Sequence, residues 1–325
     1  MSAAGKLTLY RLIIALARAL PTSVVLAGGR LLGSGFSLFP TKRRRALRAN
    51  LAVAMDLPVN DRRVARAGRA AMVHWVLNFA ELFRVGRSDF PAIIQRAPVE
   101  GWEYFNAAYA RGKGVLLVSA HLGPFETLVQ RLALDGVQVL IPVERIEPTE
   151  LLDLICAGRT ALGLQVTPVG PETFGAMAST LKEGGVVVVV SDRDVANTGE
   201  PVCFFGRRVS LPSAAVLLAL RTGAPLLAAF AHRDAHGQIS GHFTAPLEIA
   251  AGHERLTNGK LPARALRTAV AEGTQRVATL LEQEIRRNPS QWVVMQPVFE
   301  RRSAQRGAAG AEAFGLGREA RNGRA

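Results

Sequence analysis

Residues 114–126 read GVLLVSAHLGPFE, an apolar run that stops at His121 and is followed five positions later by Glu126. A neutral imidazole titrates near physiological pH and can take a proton from a hydroxyl. If the turn folds Glu126 back, its carboxylate holds one ring nitrogen protonated and leaves the other as the base. A plainer reading competes for Glu126. Gly123 and Pro124 suit a tight turn into a helix, with Pro124 at its first position and Glu126 at its third, where a glutamate commonly caps backbone donors. Capping accounts for Glu126 but gives His121 no role.

A second polar cluster follows VVVVV as SDRD, containing Asp192, Arg193 and Asp194. Asp192 could join the His121 relay or bind sugar hydroxyls, and Arg193 could pair with a phosphate or carboxylate. The alternative is a local salt-bridged turn. Two aspartates two apart suggest a metal, but no third ligand accompanies them in sequence, so no metal and no cofactor is expected. Cys156 and Cys203 form no CxxC or Cys/His cluster, and Ser119 lacks a G-x-S-x-G elbow. A covalent nucleophile is therefore unsupported. In FFGRRVSLP, Phe204 and Phe205 beside a turn at Gly206 read as core, while Arg207 and Arg208 suit a phosphate group. The histidines at 74, 232, 236, 242 and 253 lack a partnered motif and read as ordinary polar residues.

These side chains need a scaffold. Apolar runs at 115–120, 137–143, 164–169, 186–192 and 225–232 alternate with helical patterns near 125–135, 148–162, 173–183 and 212–222. Such alternation predicts an α/β fold, a mostly parallel central sheet flanked by helices, with ligands collecting beyond the carboxyl ends of the strands where His121 and SDRD lie. A long helix is expected at 263–287. Residues 1–85 read as an N-terminal helical layer, 86–300 as the α/β domain, and the Gly-, Ala- and Arg-rich stretch 301–325 as a disordered basic tail.

The N-terminal layer is predicted to meet a membrane. Arg11, Arg18, Arg30 and Pro21 interrupt an otherwise apolar run, so it falls short of the roughly 20 residues a span requires. At helical spacing Leu9, Leu12, Ile13, Leu16 and Leu20 share one side and Arg11 and Arg18 the other; Lys42, Arg43, Arg44, Arg45 and Arg48 come just downstream. Apolar stripes with basic flanks suit an interfacial foot on anionic headgroups, the alternative being helices packed on the main domain. The chain of 325 residues is 49% hydrophobic, which excludes disorder throughout, and its net charge of +14 favours anionic partners. Nucleic acid is disfavoured, because KRRRALRANL carries no aromatic residue and only 6% of the chain is aromatic.

With these residues in place, the chain resembles the lipid A biosynthesis (late) acyltransferases, a family that includes lauroyl and myristoyl acyltransferases and phosphatidylinositol mannoside acyltransferases. The resemblance rests on His121-x-x-x-x-Glu126; on Arg48, Asn50 and Leu51 in RANL; on Arg159, Asp192, Arg193 and Asp194; and on FFGRRVSLPSAAVLLALRTGAP and NPSQWVVMQPVF. It implies a glycerolipid-acyltransferase-like fold and transfer of a fatty acyl group from acyl-ACP or acyl-CoA to a hydroxyl of a glycolipid. His121 would be the general base with Glu126 stabilising its imidazolium. Arg159 would stabilise charge on the thioester oxygen, and Asp192, Arg193, Asp194 and Arg207 would bind substrate. The implied location is the cytoplasmic face of the inner membrane, without a span. A lipid hydrolase or thioesterase using the same base on water is the rival reading.

Overall fold

A computed structural model describes residues 3–84, 90–145, 149–249 and 261–299. Four helices come first: α1 (Ala3–Ala19), α2 (Thr22–Phe36), α3 (Lys42–Ala54) and α4 (Arg62–Arg84). After them run α5 (Phe90–Gln95), β1 (Val99–Glu100), α6 (Trp102–Tyr109), β2 (Val115–Ser119), α7 (Phe125–Leu134), β3 (Val139–Val143) and α8 (Thr149–Thr160). Then come β4 (Leu164–Pro168), α9 (Thr173–Lys182), β5 (Val186–Val190), the hairpin β6 (Glu200–Phe204) and β7 (Arg207–Leu211), and α10 (Ala214–Thr222). The last elements are β8 (Leu226–Arg233), β9 (Ile239–Phe243), α11 (Ala263–Arg287) and a single 3-10 turn, Pro289–Gln291. The tail expected at 301–325 lies outside the described residues.

The main sheet has seven strands in the order β1-β9-β8-β2-β5-β3-β4, and every pairing is parallel except β8 with β9. β2 is central, and all five of its residues are buried. A strand covered on both faces reads as a continuous apolar run, which is why VLLVS shows no alternation in sequence. Its side chains still divide by face: Leu116 and Val118 join the core beneath α3, α4, α10 and α11, whereas Val115 and Leu117 join the core beneath α6 and α7. The register of β2 on β5 aligns the two strand ends. Ser119 pairs with Val190, and the ladder continues with Ser191 N–H donating to Ser119 O at 2.8 Å, so two residues on His121 stands beside Asp192.

The expected strands and helices of the α/β region are present to within about two residues. β1, β9 and the β6–β7 pairing were not foreseen. In the N-terminal layer α4 is the spine, packed by α1, α2 and α3. α2 approaches α4 so closely that a Cβ on Gly33 would lie 2.5 Å from the Val73 Cα, which requires glycine there. Arg84, almost fully buried, donates from Nη1 to Ala17 O and Leu20 O at 3.0 and 2.9 Å and so terminates α1 with a cation, the sign its dipole favours.

α1 does not pack with its apolar stripe inward. Leu12, Ile13, Leu16 and Leu20 are exposed, and Arg18 Nε donates to Phe83 O at 3.1 Å. The exposed apolar surface continues through Val24, Leu31 (75% exposed), Leu32 and Phe36 to Leu38 (69%) and Phe39. Lys42, Arg43 and Arg45 come next, at the start of α3, all exposed. No helix among the described residues is long and apolar enough to cross a membrane.

Candidate active site

β2 delivers His121 into a turn that three elements pin. Gly123 has φ +58°, and a Cβ there would meet Ala231 O at 2.1 Å, so only glycine fits on both counts. Its N–H donates to Gln291 O at 3.0 Å, and its carbonyl accepts from Asn78 Nδ2 at 2.9 Å. The residues after α11 run antiparallel beside the turn: Leu122 bridges Trp292, and Val293 N–H donates to His121 O at 2.9 Å.

Asp192, completely buried, organises the imidazole. Its Oδ1 lies 2.8 Å from His121 Nδ1, while Oδ2 accepts from the His121 backbone N–H at 2.9 Å and from Trp292 Nε1–H at 2.7 Å. Burial pushes the Asp192 carboxyl up, but the charge of His121 and the hydrogen bonds from its ring, Trp292 and the His121 amide outweigh burial and hold it below its ordinary 3.8. An ionised carboxylate can only accept, so in the neutral form of the ring this contact puts the proton on Nδ1 and the lone pair on Nε2. The His121 side chain is 31% exposed, giving that lone pair access to a substrate.

Glu126 is bonded to Arg159, while the His121 ring is bonded to Asp192. Glu126 is the second residue of α7 and takes a two-pronged ion pair from Arg159 of α8: Nε to Oε2 at 3.0 Å and Nη2 to Oε1 at 2.6 Å. The reason is register. The strand ladder places Nδ1 of His121 against Asp192, while α7 turns Glu126 toward α8. Burial lowers the Arg159 pKa, but the Glu126 charge and hydrogen bonds raise it further, so the guanidinium stays charged. Glu126 thus holds Arg159 beside the first turn of α7. Phe125 sets its ring edge-on to His121 at 5.7 Å.

The remaining candidates separate. Arg193 pairs with Glu144. Asp194 closes its own loop, accepting from Thr198 N, Gly199 N and Ser210 Oγ at 3.3, 3.0 and 2.8 Å. Arg207, exposed on the hairpin, lines a cleft of about 540 Å³ with Ala49, Ala52, Val53 and residues 56–59, a lining that does not include His121. Phe204 and Phe205 are core, as expected, clustered with Trp292 and Phe299. The sequence does not single out Trp292, Gln291 or Asn78; the first two have one signal, membership of NPSQWVVMQPVF in the resemblance, and Asn78 has none. Asn50 of RANL straps that same segment, donating to Val294 O and Gln296 O at 3.0 and 2.8 Å and accepting from Val298 N at 3.1 Å. Among the described residues, the one convergence of metal-capable side chains is His232, His242 and Glu284.

Comparison with known proteins points to one family. The family model described as bacterial lipid A biosynthesis acyltransferase matches residues 3–301. A phosphatidylinositol mannoside acyltransferase of Mycobacterium tuberculosis (strain CDC 1551 / Oshkosh) is 27% identical over 263 residues, covering 77% of this chain and 75% of that protein. A protein of the same name from Mycolicibacterium smegmatis is 26% identical over 161 residues, 49% of this chain and 53% of its own length.

Proposed function

The chain belongs to the bacterial lipid A biosynthesis acyltransferases and is an acyltransferase, and from that premise we propose that it moves a fatty acyl group from acyl-ACP or acyl-CoA to a sugar hydroxyl of a phosphate-bearing glycolipid, a phosphatidylinositol mannoside in preference to a lipid A precursor. The observation that carries this is the buried Asp192 on His121 Nδ1, which leaves Nε2 basic and open. The acceptor oxygen attacks the thioester carbon while its proton passes to Nε2; the C–S bond then breaks, and the imidazolium returns the proton to the departing thiolate. Asp192 stabilises the imidazolium between these steps.

Negative charge on the thioester oxygen needs donors. The amides of His121, Leu122 and Gly123 are already spent on Asp192, Ala120 O and Gln291 O. The donors then fall to the first turn of α7, where helix amides lack intrahelical partners, and to Arg159, whose Nη1 is outside the fork that grips Glu126. The preference for phosphatidylinositol mannoside comes from the names of the relatives.

Residues 1–85 serve as the membrane-associating layer and 86–300 as the catalytic part, working at the cytoplasmic face of the inner membrane, where thioesters are supplied. The outward apolar surface of α1, α2 and residues 38–39, bordered by Lys42, Arg43 and Arg45, supports this arrangement. The test offers purified protein a labelled acyl thioester with phosphatidylinositol mannoside, lipid A precursor or glycerol 3-phosphate in mixed micelles. Acylation of the mannoside is expected. Acylation of glycerol 3-phosphate alone, or release of free fatty acid without an acceptor product, overturns the proposal.

A further inference from the structure

We propose that His232, His242 and Glu284 form a binding site for a divalent transition-metal ion of the zinc class, which clamps the ends of β8 and β9 to the last turn of α11. The sheet register brings the histidines together. In the antiparallel ladder His242 lies opposite Phe230, and His232 stands two residues beyond Phe230 on the same face. Their rings stack at 5.7 Å between centroids. α11 covers that face and lowers Glu284, 2% exposed, between them.

The distances suit a small ion. His232 Nε2 lies 3.6 Å from Glu284 Oε2, His242 Nε2 lies 3.6 Å from Oε1, and the ligand atoms all fall within 4.8 Å of one another. Tetrahedral zinc, with bonds of about 2.0–2.2 Å, needs ligand atoms about 3.3–3.5 Å apart. Each histidine faces a different oxygen of Glu284, so closure on one oxygen brings the other histidine in from a separation of no more than 4.8 Å. Two imidazoles and one carboxylate select zinc, cobalt or nickel over magnesium and calcium, which want oxygen cages. Arg287 Nη1 holds Glu284 Oε1. A metal bonded through one oxygen leaves the other for this guanidinium, which then fixes the carboxylate's orientation. Both histidine side chains keep partial exposure, so water can fill a fourth position.

The site joins the two elements that flank the catalytic turn. α11 runs through Asn288 into the Pro289–Gln291 turn, and Gln291 grips the end of β8 by accepting from Arg233 N–H at 2.9 Å and donating to Arg233 O at 3.0 Å. Trp292 comes next and reaches Asp192. An ion at His232, His242 and Glu284 steadies the segment that completes the His121 relay without touching substrate.

The experiment uses untagged full-length protein dialysed against a chelator and titrated with Zn²⁺ by calorimetry, with Co²⁺ absorption reporting coordination. One ion per chain, a four- or five-coordinate cobalt spectrum and a rise in Tm with Zn²⁺ are expected. His242→Ala and Glu284→Gln should each weaken Zn²⁺ binding by more than the roughly 10- to 100-fold that loss of an outer-shell partner costs. His242→Gln, closer in size, serves if His242→Ala does not fold. Zn²⁺ affinity unchanged in a folded His242 variant would place the ion elsewhere, such as Cys156, Cys203 or His236, and overturn the proposal. So would the absence of saturable binding to the wild-type protein.

Discussion

Replacing Asp192 with Asn tests the relay without changing its shape. Asp192 Oδ2 receives two N–H donors, from the His121 amide and the Trp292 indole, and Oδ1 faces His121 Nδ1 at 2.8 Å. In Asp192→Asn the single amide oxygen is drawn to the two donors, which leaves the NH₂ pointing at Nδ1. Nδ1 must then accept, the proton moves to Nε2, and the base loses its lone pair. The same swap in serine-protease triads costs about 10,000-fold in kcat, or about 5 kcal/mol of barrier. A loss between about 100-fold and 10,000-fold is expected here, since a positioned base supplies that range. Stability should fall by only about 1.5–3 kcal/mol, the scale of hydrogen bonds to a charged group. The assay is single-turnover transfer from a labelled thioester to phosphatidylinositol mannoside in mixed micelles, with Tm as the fold control. Near wild-type turnover by folded Asp192→Asn, at saturating donor and acceptor, would refute the assignment.

Trp292→Phe removes one donor from Asp192 and raises its folded pKa toward the ordinary value of 3.8. Because a depressed carboxylate pKa contributes stability above the unfolded value and loses it as pH falls through the folded one, acid unfolding of Trp292→Phe should begin at a higher pH than in the wild type. Asp192→Asn should lack that titration altogether; circular dichroism from pH 6 to 2 measures both. Glu126→Gln weakens the fork on Arg159 but leaves Nδ1 of His121 in place; kcat should fall with no change in the acidic limb of the pH profile, which reports the base, whereas a limb shifted like that of an Asp192 variant would restore Glu126 to the relay. Leu31→Glu combined with Phe39→Glu should weaken binding to anionic vesicles by about tenfold to a hundredfold for each fully inserted side chain, with Tm unchanged; sedimentation equal to the wild type would exclude this surface. Arg207→Ala should raise KM for the glycolipid and spare kcat; an unchanged KM would remove the hairpin from acceptor binding.

Strand order and spacing made the α/β region legible, because buried parallel strands produce runs such as VLLVS and VVVVV that few other contexts produce. The same logic located His121 and Asp192 at strand ends. It raised Asp192 as a relay partner for His121 only beside sugar binding, because the choice depends on β2 lying next to β5, and adjacency is a property of the whole sheet. Glu126 misled for the opposite reason: proximity in sequence suggested a contact that the turn into α7 directs elsewhere. The two-residue β1 and the β8–β9 return are short or covered by the neighbouring run, so neither gave a periodic signal. His232, His242 and Glu284 come from two strands and a distant helix, and no spacing rule connects them.

α1 shows how the same amphipathic pattern admits two orientations. A stripe of leucines opposite arginines fits a helix that buries the stripe against its own domain as well as one that presents it outward. Two contacts decide between them. Arg18 donates to Phe83 O from α1, and Arg84 caps α1 by donating to Ala17 O and Leu20 O, so the backbone-seeking cations occupy the side next to α4. Leu12, Ile13, Leu16 and Leu20 are exposed, as are Leu31, Leu32 and Phe36 of α2. Solvated leucines at this density cost free energy that an interfacial site recovers, at roughly 1.5–3 kcal/mol for each side chain fully withdrawn from water. α4, which bears Asn78 on the catalytic turn, is the helix against which α1 and α2 pack. The surface proposed to meet lipid and the turn that carries His121 are therefore braced by one helix, an arrangement suited to an acceptor whose tail stays in the bilayer while its sugar reaches the base.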